Sequence, residues 1–127
     1  MREDEEKRWF TRVSWSAPAS LVLPGSTLEV DCLNISLNGA LLRAASAPPE
    51  DTTGRLLLPL DTEGENRIEA ECRILRPEGG TFAVEFTGYD LDSAAHLRNL
   101  LAYNTAEPER IDQELPNLRR SRRSDSD

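Results

Sequence analysis

Two short groups of residues hold most of the polar chemistry that this chain could turn to recognition. One is Asn34-Ile35-Ser36-Leu37-Asn38-Gly39, where an alternating strand pattern runs into a glycine. An amide, a hydroxyl and a residue free of Cβ bring main chain and short polar side chains close to a flat ligand edge. The other lies upstream, Arg8-Trp9-Phe10-Thr11-Arg12. Its two guanidinium groups add planar donors and stacking surfaces. Together the groups have what is needed to read a guanine and hold a phosphate.

Each group also has a plainer reading. Arg-x-x-x-Arg puts both arginines on one side of a helical turn or of an extended chain. Taken alone, the spacing is better explained by two surface arginines that offset the acidic run Glu3 to Glu6. Trp9 and Phe10 can stack on a ligand, but anchoring their segment is the better use of their area. Asn34 and Ser36 can cap a β-turn through side-chain to backbone bonds.

These groups must be positioned by strands. Residues 13–23 alternate as a strand interrupted at Pro18, which makes it an edge or bulged strand. Pro24-Gly25-Ser26 signals a turn. The next strand covers 27–33 and leads into Asn34, and a third covers 39–44. A Pro- and Gly-containing loop separates it from an apolar strand at 55–60. Residues 67–76 alternate cleanly, with Ile68, Ala70, Cys72 and Ile74 on one face and Arg67, Glu69, Glu71 and Arg73 on the other. That pattern has one face on a core and one in water. Pro77-Glu78-Gly79-Gly80 closes a hairpin, and Phe82, Val84 and Phe86 mark the return strand. Strands with turns and no intervening helix predict a mainly β fold, a closed antiparallel barrel or a sandwich.

At Asp90 the period changes. Ala94, Leu97, Leu100 and Leu101 follow helical spacing, with Asp90 or Asp92 as N-cap and Asn104 as the stop. This helix is expected to lay its leucine stripe on an end or face of the barrel. A second short helix is expected from Pro108, with Ile111 and Leu115 as its apolar residues. The domain organisation read here is a mobile charged terminus at 1–7, a barrel domain with its helix at 8–104, a short helical extension at 105–116, and a disordered Arg/Ser/Asp tail at 117–127.

Composition narrows the function. The chain has 127 residues, enough for one domain with polar ends. No apolar run approaches the roughly 20 residues of a membrane helix. The charged N-terminus carries no apolar leader, so a cytoplasmic location is expected. Cys32 and Cys72 fall on the apolar phase of their strands and read as small core residues in a reducing compartment. Zinc takes about four ligands, which two cysteines and a single histidine do not supply. A net charge of −8 argues against binding a nucleic-acid polymer, and 6% aromatics argue against a stacking platform for single strands. A small anion needs only a local positive pocket, which Lys7, Arg8 and Arg12 can build. No phosphate-binding loop, metal cluster or nucleophile elbow is present, and His96 reads as an exposed helix residue. No catalysis and no cofactor are expected.

A barrel-like run of strands preceded by Arg8-x-x-x-Arg12, carrying Asn34-x-Ser36-x-x-Gly39 and followed by one helix, resembles the PilZ family. The resemblance covers residues 8 to about 104. It implies a six-stranded antiparallel split barrel with a C-terminal α-helix packed on it. It also implies an RxxxR loop that folds over the barrel beside the second motif. The implied ligand is cyclic di-GMP, held by Arg8, Arg12, Asn34, Ser36 and Gly39, with Lys7 as an auxiliary residue. Family members carry Asp or Asn at the first position of the second motif. Asn34 keeps the acceptor oxygen without the charge, so weaker binding than in an Asp member is expected. The implied role is a receptor and adaptor, monomeric, that relays the second messenger to a protein effector in motility, biofilm or exopolysaccharide control. The alternative is a PilZ-like interaction module that does not bind nucleotide.

Overall fold

The computed structural model describes residues 10–63 and 65–116. The termini read as mobile and disordered, and with them Lys7, Arg8 and Trp9, lie outside the described residues.

Six antiparallel strands form the barrel: β1 (Val13–Leu23), β2 (Ser26–Ser36), β3 (Gly39–Arg43), β4 (Thr53–Pro59), β5 (Arg67–Glu78) and β6 (Thr81–Tyr89). They close in the order β1-β2-β3-β6-β5-β4. Alternate residues fill the interior, among them Leu21, Cys32, Ile35, Leu42, Leu56, Leu58, Ile68, Ile74 and Phe82. The period-2 patterns of the sequence therefore specify which side of each strand faces the core.

Local chemistry accounts for the irregularities. β1 is continuous through Pro18, which pairs with Asp31 of β2, and its pairing with β4 spans Ser20–Val22. The missing N–H of Pro18 thus falls outside the β1–β4 ladder. The disruption expected in β1 occurs earlier, as a bulge between Ser14 and Ala17. β5 runs past its expected end through a second irregularity between Leu75 and Glu78, where Arg76 has a φ of 46°. Gly79, at a φ of 64°, then turns the chain into β6.

Helix α1 (Leu91–Asn104) lies against β5 and β1. Asp90 is its N-cap, its carboxylate accepting from the Ser93 N–H at 2.8 Å. These bonds hold the Asp90 carboxyl below its ordinary range. Leu97, Leu100 and Leu101 are buried as expected, but Ser93 rather than Ala94 completes the buried face. The Ser93 hydroxyl accepts from the Glu69 N–H at 3.0 Å, a bond alanine has no means to make. His96 is half-buried rather than exposed. After Thr105 and Pro108 a second helix, α2, spans 109–116. Ile111 is fully buried, whereas Leu115 is partly exposed and Glu114 takes a core position instead.

Candidate functional site

In the β1–β2 ladder Val13 pairs with Ile35 and Ser14 with Asn34. The ladder ends at that Val13–Ile35 pair, with Arg12 just before β1 on the Ser36 side. Val13 and Ile35 are both buried in the core. Their neighbours Arg12, Ser14, Asn34 and Ser36 therefore fall on the opposite phase. On the far side of β2, Ser36 pairs with Gly39 and Asn34 with Leu41. Asn34, Ser36 and Gly39 thus lie on the adjacent strands β2 and β3, with Arg12 one residue before β1, which pairs with β2. Arg12 itself is exposed.

Asn34 and Ser36 are strand residues, contrary to the expectation that strand β2 ends before them. The hairpin turn is only Leu37-Asn38. Asn34 sits at the edge of two ladder irregularities, one in β1 between Ser14 and Ala17 and one in β2 between Cys32 and Asn34. Bulges of this kind re-aim side chains and recur beside functional sites. The Asn34 side-chain oxygen is buried and has no hydrogen-bond partner among the described residues. A buried acceptor left unpaired is costly, and it can be satisfied by a ligand that brings N–H donors. The Cys32 thiol donates to the Asn34 backbone carbonyl at 3.5 Å. Burial pushes that thiol up to about 11, so it stays protonated and able to donate.

Ser36 is 2% exposed. Its hydroxyl donates to the Asn38 side-chain oxygen at 2.7 Å and accepts from the Asn38 N–H at 3.3 Å. These bonds stiffen the turn from within. The turn is also held from outside. The Tyr89 hydroxyl donates to the Leu37 carbonyl at 3.1 Å, and the Phe86 N–H donates to the Asn38 carbonyl at 2.8 Å. Gly39 is required by close approach: a Cβ there would strike the backbone oxygen of Val84 in β6. Beyond it on β6, Glu85 accepts from the Arg73 guanidinium at 2.6 Å, a charged pair that borders the row.

A model of the PilZ domain matches residues 6–103. The chain belongs to the PilZ domain family. PilZ domains are generally cyclic di-GMP-binding adaptor modules that act on protein partners and not enzymes. Two solved structures share the barrel. One is the PilZ domain of CeSA from a cellulose-synthesizing bacterium, with a TM-score of 0.58 and 20% identity over 71% of this chain and 93% of that one. The other is the Bacillus subtilis inhibitor of motility, MotI/DgrA, with a TM-score of 0.59 and 18% identity over 75% of this chain and 47% of that one. At these identities the likeness is one of fold, and this chain spans about half the length of the Bacillus protein.

In this PilZ domain, sequence reasoning singled out the residues of the two motifs but not the side chains that support them. Asn38 lay inside the motif without an assigned role, although its side chain is the partner of Ser36. Tyr89 falls off the Phe82, Val84, Phe86 alternation of β6 and gave no signal of its own. Glu114 is bonded to Thr11 across most of the chain. The trace it left was a carboxylate three residues after Ile111, on the one apolar face of α2. Among the described residues, no helix is long and apolar enough to cross a membrane, and no three His, Cys, Asp or Glu side chains come together to hold a metal.

Proposed function

We propose that this PilZ domain is a receptor for cyclic di-GMP that passes the signal to a protein partner. The observation that carries the reading is the buried Asn34 oxygen, without a hydrogen-bond partner among the described residues, set at the edge of two bulges, two residues from Ser36 and paired with β1, which begins one residue after Arg12. An acceptor aligned with a guanidinium matches the two edges of guanine. Asn34 accepts from N1–H and N2–H, and an arginine donates to O6 and N7 or neutralises a phosphate. Arg8, the other arginine of the motif, and Lys7, the auxiliary residue, complete the proposed set with Gly39. No cofactor and no catalysis enter this reading.

The proposed action is cytoplasmic and monomeric. The dinucleotide bridges the motif arginines and the Asn34 row, and the changed surface is what an effector reads. Control of motility, biofilm or exopolysaccharide formation is the expected output. The fold shared with an inhibitor of motility and with a domain from a cellulose-synthesizing bacterium supports it.

The test is a calorimetric titration of the purified chain with cyclic di-GMP, with GTP and cyclic GMP as controls. Saturable, selective binding that is lost in Arg8→Ala and in Arg12→Ala, with melting behaviour unchanged, is the expected result. Absence of heat with the intact chain would leave a barrel used for protein contact alone.

A further inference from the structure

Thr11, the residue before Arg12, is gripped by helix α2. Its N–H donates to one carboxylate oxygen of Glu114 at 2.8 Å, and its hydroxyl donates to the other at 2.5 Å. Glu114 is 4% exposed. Phe10 on one side of Thr11 and Val13 on the other are buried in the core. Within this stretch Arg12 is thus the exposed residue between fixed points. Helix α2 is itself held down, by Ile111 in the core and by the two-pronged bond of Arg98 to Asp112, at 2.9 Å for each prong.

We propose that Glu114 is a positioning residue of the binding site. Resting on the receptor reading above, it holds the Thr11 backbone and hydroxyl so that Arg12 leaves the chain toward Ser36 and Asn34. Two arguments lead here. A carboxylate removed from water costs free energy, and apolar side chains at both Thr11 and Glu114 would serve stability about as well as the hydroxyl–carboxylate contact does. What the carboxylate adds is a fixed geometry at the residue that carries the ligand-facing arginine. A segment already ordered in its bound form loses less freedom on binding. The family match ends at residue 103, so the clamp extends the site into a helix beyond the matched region.

The test separates stability from affinity. The intact chain and the variants Glu114→Leu, Thr11→Val and Thr11→Ser are melted without ligand and titrated with cyclic di-GMP. Glu114→Leu, which leaves the part-buried Thr11 donors without their acceptor, is expected to melt somewhat below the intact chain and, titrated well below that transition while fully folded, to bind about tenfold more weakly. Thr11→Val is expected to weaken binding similarly, Thr11→Ser to restore it, and the double variant Thr11→Val/Glu114→Leu to be no weaker than either single change. Variants that lose melting temperature but keep or gain affinity would overturn the positioning role and leave the receptor reading intact. An intact chain that does not bind would overturn both.

Discussion

Asn34 faces Ser14 across the β1–β2 ladder, and its amide oxygen is buried there without a donor among the described residues. The folded barrel therefore keeps an unsatisfied acceptor at the position where, in the proposed complex, a guanine edge supplies two N–H groups. Stability and binding are set against each other at this one atom.

Changing Asn34 should expose that opposition. Asn34→Asp places a charge where no donor waits, so the ligand-free protein should lose about 1–3 kcal/mol of stability. Its affinity for cyclic di-GMP should rise about tenfold, because hydrogen bonds to a carboxylate are stronger. Asn34→Leu should do the reverse, melting higher and failing to bind. Paired melting and calorimetry measure both, and variants whose two properties move together would contradict this account.

Gly39→Ala should destabilise the barrel by about 1–3 kcal/mol, the cost of forcing extra atoms into a packed site. The obstructing atom is the Val84 backbone oxygen, which can yield only if β3 and β6 separate. Urea unfolding is the measurement, and an unaltered midpoint would show that the strands have slack here.

Tyr89→Phe removes one hydroxyl and leaves its ring in place against Phe86. Loss of the bond to the Leu37 carbonyl should cost about 1 kcal/mol. The amide protons of Leu37 and Asn38 should exchange faster, while those of β5 do not. Equal acceleration everywhere would mean that Tyr89 supports the whole barrel rather than the turn.

Cys32 and Cys72 ordinarily titrate at 9.0 and are pushed up to about 11 by burial. Unfolding returns them to water, so above pH 9 the unfolded chain loses these protons first. Their contribution is whole below pH 9, falls as pH rises, and is gone above about pH 11. Two pH units correspond to about 3 kcal/mol for each thiol. The urea midpoint should drop across this window, and the drop should be smaller in Cys72→Ala. A variant with the same slope would assign the drop to other groups.

How far the fold can be read from residues alone depends on how local its causes are. The period-2 runs around Cys32, Cys72 and Phe82 gave the strands and their inward faces. The change of period at Asp90 gave the helix. Strand ends were less legible, because Asn34 and Ser36 look like turn residues until the pairing with Ser14 and Gly39 is known. The reason for Gly39 was hidden for the same cause: the atom that forbids a Cβ belongs to Val84, a partner that only the closed barrel supplies. Glu114 was least legible of all. Its bond to Thr11 spans 103 positions, and no local pattern anticipates such a contact.

The order of the strands has a consequence for how a newly made chain acquires its site. β1, β2 and β3 follow one another as hairpins, a form that appears in about 1–10 μs. The row from Arg12 to Gly39 is therefore drafted from neighbours in sequence. What makes it rigid arrives from far downstream: Val84, Phe86 and Tyr89 on β6, and Glu114 on α2. Barrels closed by such distant pairings fold over milliseconds to seconds. A nascent chain would have the motif residues side by side long before it could hold a ligand.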